Sequence, residues 1–129
     1  MNKIRAVCLN CIDGRVQIPV IHWIKQRFDV DFVDMITEPG MDEFIADCNN
    51  SMEDINRKVR LSVKNNNARI IVVTGHFGCI KNPVSESVHK EQIQKSVERL
   101  KNDFKELAIV GLWVNSDFKG EALKEEANS

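Results

Sequence analysis

An open, mostly parallel α/β sheet of about four strands flanked by helices is the architecture the sequence predicts, and three observations predict it. Short apolar runs rich in β-branched residues recur along the chain, amphipathic helical stripes lie between them, and the runs show no polar face. Strands apolar on both sides belong in a parallel sheet covered on both faces. Strands that alternate with helices imply βαβ units joined by right-handed crossovers.

The elements follow in order. Residues 4–9 read as a first strand. Val16, Val20, Trp23, Ile24 and Phe28 then share one helical face, while Ile18 and Ile21 lie outside that stripe. A helix apolar around so much of its girth calls for a second partner. Residues 31–36 read as a second strand and 42–48 as a short helix. Met52, Ile55, Val59 and Val63 recur at helical spacing, and Asn65-Asn66-Asn67 marks a turn. The uncharged run Ile-Ile-Val-Val-Thr at 70–74 is the strongest strand signal. Ile93, Val97, Leu100 and Phe104 form a last helical stripe, 108–114 a last strand, and 120–129 a frayed or docked tail.

Composition narrows the function. At 129 residues the chain suits one domain, residues 1–129, because two halves would each have a marginal core. Eighteen basic and nineteen acidic side chains give a formal net charge of -1, which lacks the broad positive field of a nucleic-acid protein. No run of apolar residues is long enough to span a membrane. The N-terminal apolar run breaks at Asn10, Asp13 and Arg15 and makes a poor signal peptide, so a cytoplasmic location is expected. Four cysteines in a reducing compartment point to burial, metal binding or reactivity rather than to a disulfide framework.

Two segments stand apart from this scaffold: Cys11-Ile12-Asp13-Gly14-Arg15 just past the first strand, and His76-Phe77-Gly78-Cys79 just past the third. Both fall at the carboxyl ends of parallel strands, where open α/β sheets bind ligands. If the first and third strands are neighbours, Cys11, His76 and Cys79 converge. Two thiolates and an imidazole suit zinc and leave a fourth tetrahedral position open. Asp13 is suited either to accept a proton or to close the site as a fourth ligand. Arg15 is suited to pair with it and keep it ionised. Zinc with two thiolates and a neutral imidazole carries no net charge. A bound water can then be acidified to about pH 7, less strongly where thiolates donate charge, so any activity is expected to favour alkaline pH.

Cys-x-Asp-x-Arg after a first strand, with His-x-x-Cys after a third, resembles the β-class carbonic anhydrase family. The resemblance runs from about Ile4 to Gly120. Thr37-Glu38-Pro39-Gly40 stands in place of the family's Arg-Asn-Ala-Gly segment, Ile109 to Val114 resembles its last core strand, and Phe118-Lys119-Gly120 the turn beyond. It implies a β-carbonic anhydrase-like fold, zinc held by Cys11, His76 and Cys79, and Asp13 and Arg15 as a catalytic dyad. The activity implied is reversible hydration of carbon dioxide to bicarbonate by a zinc-bound hydroxide. A homodimer or higher homo-oligomer is implied as well. The chain departs from the family pattern at Gly14 (usually Ser), at Ile80 (usually Gly), and in a loop where only Gly40 survives. Pro39 removes a backbone donor and Glu38 adds an acid, so the bicarbonate pocket departs further than the metal ligands do.

Other readings stand beside this one. Carbonyl sulfide or carbon disulfide would need the same nucleophile and a linear electrophile. A zinc permanently closed by Asp13 would make a non-catalytic binding module. A thiol enzyme using Cys11 is ranked last, because Cys-x-x-x-Arg is too short for a phosphate-cradling loop. Asp13 also fits an N-cap before the helix near Val16. Cys8 and Cys48 read as small buried hydrophobes, His22 as solvent-facing, and His89 as a histidine at a helix edge, with a supporting place behind the metal or a proton relay as the alternative. Glu38 fits either the start of a loop or a place over the metal. The charges in 119–126 read as a solvated tail.

Overall fold

The structure, a computed structural model, describes residues 4–123. Four parallel strands, β1 (Arg5–Asn10), β2 (Phe32–Thr37), β3 (Ala68–His76) and β4 (Ala108–Val114), form a sheet with β5 (Gly120–Ala122). Their order is β2-β1-β3-β4-β5, and β5 alone runs antiparallel, Val114 pairing with Gly120 and Leu112 with Ala122. The first and third strands are thus neighbours, with Leu9 beside Val73. Since β1 leads to β2 on one side and β3 to β4 on the other, the order reverses between β1 and β3. The crevice expected at such a switch point opens at their carboxyl ends.

The helices are divided unequally between the faces. α2 (Met41–Ala46), α3 (Glu53–Asn65) and α4 (Glu86–Asp103) cover one face, where Val7, Leu9, Ile71 and Val73 meet Ile45, Val59, Ile93 and Leu100. α1 (Gln17–Phe28) covers the other, where Val16, Val20 and Ile24 meet Cys8, Val72, Val110 and Leu112. Alternate residues of β1, β3 and β4 feed the two cores, so these central strands read as continuously apolar. Edge strand β2 is only partly covered.

Local signals explain the helix ends. A 3₁₀ turn at Gly14–Val16 precedes α1, and Asp13 caps it by accepting the Arg15 backbone N–H at 2.9 Å. Pro19 is tolerated in the first turn of α1 because the missing N–H has no intrahelical partner there. Ser85 caps α4, its hydroxyl accepting from Val88 N at 3.3 Å.

Three expectations need correction. The tail expected from residue 120 instead begins as β5. Asn115 closes the turn before it, its Oδ1 accepting from the Asp117 and Lys119 N–H groups. Gly120 leaves room for Trp23 of α1, whose ring a Cβ would approach to 2.7 Å. The remainder of that tail, 124–129, lies outside the described residues. Cys48 is exposed rather than buried, because α2 ends at Ala46 and releases the chain from the apolar stripe. His89 is buried at 1% exposure rather than at an edge, because it lies one turn before Ile93 on the core stripe of α4.

Candidate metal centre

The end of β1 and the end of β3 deliver the three soft side chains to one point. The ligand atoms of Cys11, His76 and Cys79 all lie within 4.8 Å of one another, and all three residues are buried. The two sulfurs are 4.0 Å apart. Around a tetrahedral zinc with bonds of about 2.3 Å, two sulfurs would stand roughly 3.8 Å apart. The His76 ring is oriented for the same purpose. Its Nδ1–H donates to the Phe77 carbonyl at 2.9 Å, which leaves Nε2 as the lone-pair nitrogen. That Nε2 is buried and, among the described residues, makes no hydrogen bond of good geometry, with the Cys11 sulfur facing it. A buried nitrogen facing two sulfurs fits a divalent soft-ligand ion, and zinc in particular.

The surroundings act unequally on the three groups. Burial pushes the Cys11 thiol up, but the facing His76 imidazole and the N–H groups of Gly40 and Asp13 outweigh it and bring it down to about 7. Burial pushes Cys79 up to about 11, the neighbouring Cys11 adding to it and the Asn82 N–H opposing it. Burial would lower His76, yet Cys11 and the Phe77 carbonyl hold it above the usual imidazole value. The two cysteines therefore sit in unequal surroundings, which favour one ready thiolate beside an imidazole.

Asp13 and Arg15 form a forked pair beside this cluster. Arg15 Nε lies 3.1 Å from both Asp13 oxygens, and Nη2 lies 2.6 Å from Oδ2. The guanidinium holds the Asp13 carboxyl down at about 2. Arg15 Nη2 also donates to the Gly78 carbonyl at 3.0 Å, tying the pair to the His76–Cys79 loop. Asp13 is not part of the three-ligand group. A cavity of ≈ 500 Å³ opens in front, lined by Cys11, Ile12, Asp13, Pro39, Cys79, Ile80 and Lys81. Lys81 at its rim pairs with Glu43 at 3.0 Å. Glu38 is half-buried, anchored by its backbone N–H to the Asn10 carbonyl at 3.2 Å, and is not among the residues lining the cavity. His22 is exposed, as expected.

Several supporting residues escaped the sequence reading. Gln17 Nε2 donates to the Cys11 carbonyl at 2.7 Å and the Asp13 carbonyl at 2.8 Å, bracing the first ligand loop from the start of α1. Asn10 is fully buried, donates to the Val16 carbonyl and accepts from the Thr74 hydroxyl, linking β1 to β3 just before the ligands. Asp42, Asn82 and His89 form a buried cluster behind the second loop. For Asn10, at the end of an apolar strand, and His89, on the apolar stripe of a helix, a signal existed, because such a polar residue must find a partner inside.

Comparison with known proteins agrees with this geometry. No curated protein matches the chain significantly. Among solved structures, isoform I of the β-carbonic anhydrase of Trichomonas vaginalis is similar at a TM-score of 0.64 and 14% identity, over 94% of this chain and 83% of that one. A β-carbonic anhydrase of Aspergillus fumigatus gives 0.65 and 12% over 95% and 76%, and tetrameric β-carbonic anhydrases of Sordaria macrospora give 0.64 and 12% over 98% and 83%. At such identities the likeness concerns the fold. The sequence itself matches, over residues 1–124, the family model described as "Putative carbonic anhydrase". With the match spanning nearly the whole length, this chain belongs to that carbonic anhydrase-like family.

Proposed function

We propose that the protein is a zinc-dependent lyase that reversibly hydrates carbon dioxide to bicarbonate. The observation that carries this reading is the convergence of the ligand atoms of Cys11, His76 and Cys79 within 4.8 Å, with the buried His76 Nε2 making no other hydrogen bond among the described residues. These three would hold the ion. When bound, zinc supplies a Lewis-acid centre that makes a water molecule acidic enough to act near neutral pH. Asp13 stays ionised through Arg15 and faces the cavity, where it accepts a hydrogen bond from the nucleophile and fixes its direction. Arg15 positions Asp13 and couples it to the second ligand loop through Gly78. Ile12, Pro39 and Ile80 give the cavity apolar walls that admit a small uncharged substrate and shed bulk water. The pairing of Asp13 with Arg15 argues against Asp13 as a permanent fourth ligand, and hence against a closed, non-catalytic site.

Those apolar walls also favour a second substrate class. Lys81 is engaged by Glu43, so the cavity offers an anion little free positive charge. Carbonyl sulfide and carbon disulfide are linear, uncharged and converted to neutral or weakly acidic products, and they fit this lining. Metal analysis of protein purified without chelator, followed by stopped-flow hydration and parallel hydrolysis assays, tests both. One zinc per chain with hydration that rises toward alkaline pH is expected. Stoichiometric zinc with hydrolysis of the sulfur compounds alone would replace the first reading by the second, and a chain that takes up no zinc would overturn both.

Exposed Ile12, Ile18, Phe77 and Ile80 on and around the same end of the molecule support a homo-oligomer with the site near its interface. Sedimentation velocity is expected to give at least a dimer, and a monomer at micromolar concentration would reject it. The reducing cytoplasm is the compartment that suits its free thiols.

A further inference from the structure

Behind the ligand loops lies a group of buried polar side chains that neither binds the metal nor faces the cavity. Asp42, in the first turn of α2, is 2% exposed. Its Oδ1 accepts from the Glu43 backbone N–H at 2.9 Å and from Asn82 Nδ2 at 3.2 Å. Its Oδ2 accepts the Nδ1–H of His89, at 2.6 Å. Asn82, fully buried, gives its other amide hydrogen to Gln92 Oε1 at 2.7 Å. The His89 ring is held against Trp113, with ring centroids 5.2 Å apart. Gly75 of β3 makes the room, since a Cβ there would stand 2.3 Å from Asp42 Oδ2. One carboxylate thus joins the start of α2, the loop after Cys79 and the start of α4.

Asp42 is not the cap of α2, which is Gly40, and an acid that merely favoured the first turn of a helix would stay exposed. A carboxylate buried this deeply and given donors from two further elements has a larger task. Two of the segments it touches adjoin a candidate ligand: Gly75, packed on Asp42 Oδ2, directly precedes His76, and Asn82 lies three residues after Cys79. Gly40 sits two residues before Asp42, with φ 61°, and its Cβ position is closed by Lys81 and Asn82. We propose that Asp42, with Asn82 and His89, is a positioning cluster that fixes the end of β3 and the loop after it, which carry His76 and Cys79, and so sets the affinity and geometry of the metal site. Outer partners of this kind are typically worth 10–100-fold in metal affinity. The inference rests on the reading that Cys11, His76 and Cys79 hold zinc.

The test compares three variants of the full chain. Asp42→Asn keeps the shape and replaces the charge facing His89. Asn82→Ser removes the amide that reaches Asp42. Ser96→Ala is the control, because the Ser96 hydroxyl bonds only the carbonyls of Asp42 and Gln92. Zinc affinity is read by competition with a chromophoric chelator, sulfur-to-metal charge transfer by the spectrum of Co²⁺-substituted protein, and stability by the unfolding midpoint. Asp42→Asn and Asn82→Ser are expected to weaken zinc by 10–100-fold and shift the charge-transfer band. Ser96→Ala is expected to lower the midpoint with neither change. Wild-type protein that binds neither ion would overturn the zinc reading itself. Wild-type binding with unchanged affinity and spectrum in Asp42→Asn and Asn82→Ser would overturn the positioning role alone, as would affinity losses in all three variants that simply track their midpoints.

Discussion

Asp13 and Arg15 illustrate how a short spacing can serve two ends. The Asp13 carboxylate caps the 3₁₀ turn and at the same time receives the Arg15 fork, so local folding and site chemistry share one group. Asp13→Asn keeps the cap, since the amide oxygen still accepts the Arg15 N–H, but removes the charge. We expect the hydration rate to fall about 10²-fold or more with zinc content unchanged, measured by stopped flow beside metal analysis. An undiminished rate would remove Asp13 from the mechanism. Gly14 between them has no atom within 4 Å of its Cβ position, so the departure from the family's serine reflects no steric need.

Among the elements, β3 carries the most consequence per residue. It runs buried through both cores, ends in His76, and at Gly75 passes so close to Asp42 that no side chain fits. Gly75→Ala is expected to cost about 1–3 kcal/mol through overpacking, read as a lowered midpoint in denaturant with an unchanged slope. At the sheet edge, Asp34 joins β2 to β1 and α3, accepting from Arg5 at 2.8 Å, Ser62 at 2.6 Å and Asn66 at 3.1 Å. Partial burial pushes its carboxyl up, but these donors together hold it below the ordinary value. A depressed folded-state value stabilises above the unfolded value of about 3.9. That contribution is lost as the pH falls through the folded one. Wild-type stability is therefore expected to drop below about pH 4 more steeply than that of Asp34→Asn, in parallel denaturant titrations. Equal slopes would show that Asp34 contributes nothing through its charge.

For the whole molecule, the ion is expected to act as a clasp across the sheet, since its ligands come from the ends of two adjacent strands. At free zinc near 100 times the dissociation constant, binding stabilises the fold by about 2.7 kcal/mol. That corresponds to a rise of roughly 10 °C in melting temperature for a chain of this size. Chelation followed by calorimetry checks it, with re-addition of zinc restoring the higher value. A melting temperature indifferent to chelator would mean that no ion spans the strands.

Much of this was legible in the residues themselves. The strand at 108–114 coincides with β4, and the other three strands were found within a few residues of their ends, because buried parallel strands leave unbroken β-branched runs. The Cys11, His76 and Cys79 group that converges here, and the paired Asp13 and Arg15, were visible as motifs at strand ends. β5 was not, since Gly-Glu-Ala has no strand character of its own and pairs only because a turn returns it to β4. Nor was the Asp42–Asn82–His89 cluster, whose members sit on three separate segments and of which only His89 drew a reading of its own, as an edge histidine. Sequence by itself determined the main strands and helices and the residue types on offer at the strand ends, because periodicity and residue type are local properties. Only the tertiary structure decided which of them meet, because distance in space depends on strand order, and strand order is settled by the packing of the whole sheet.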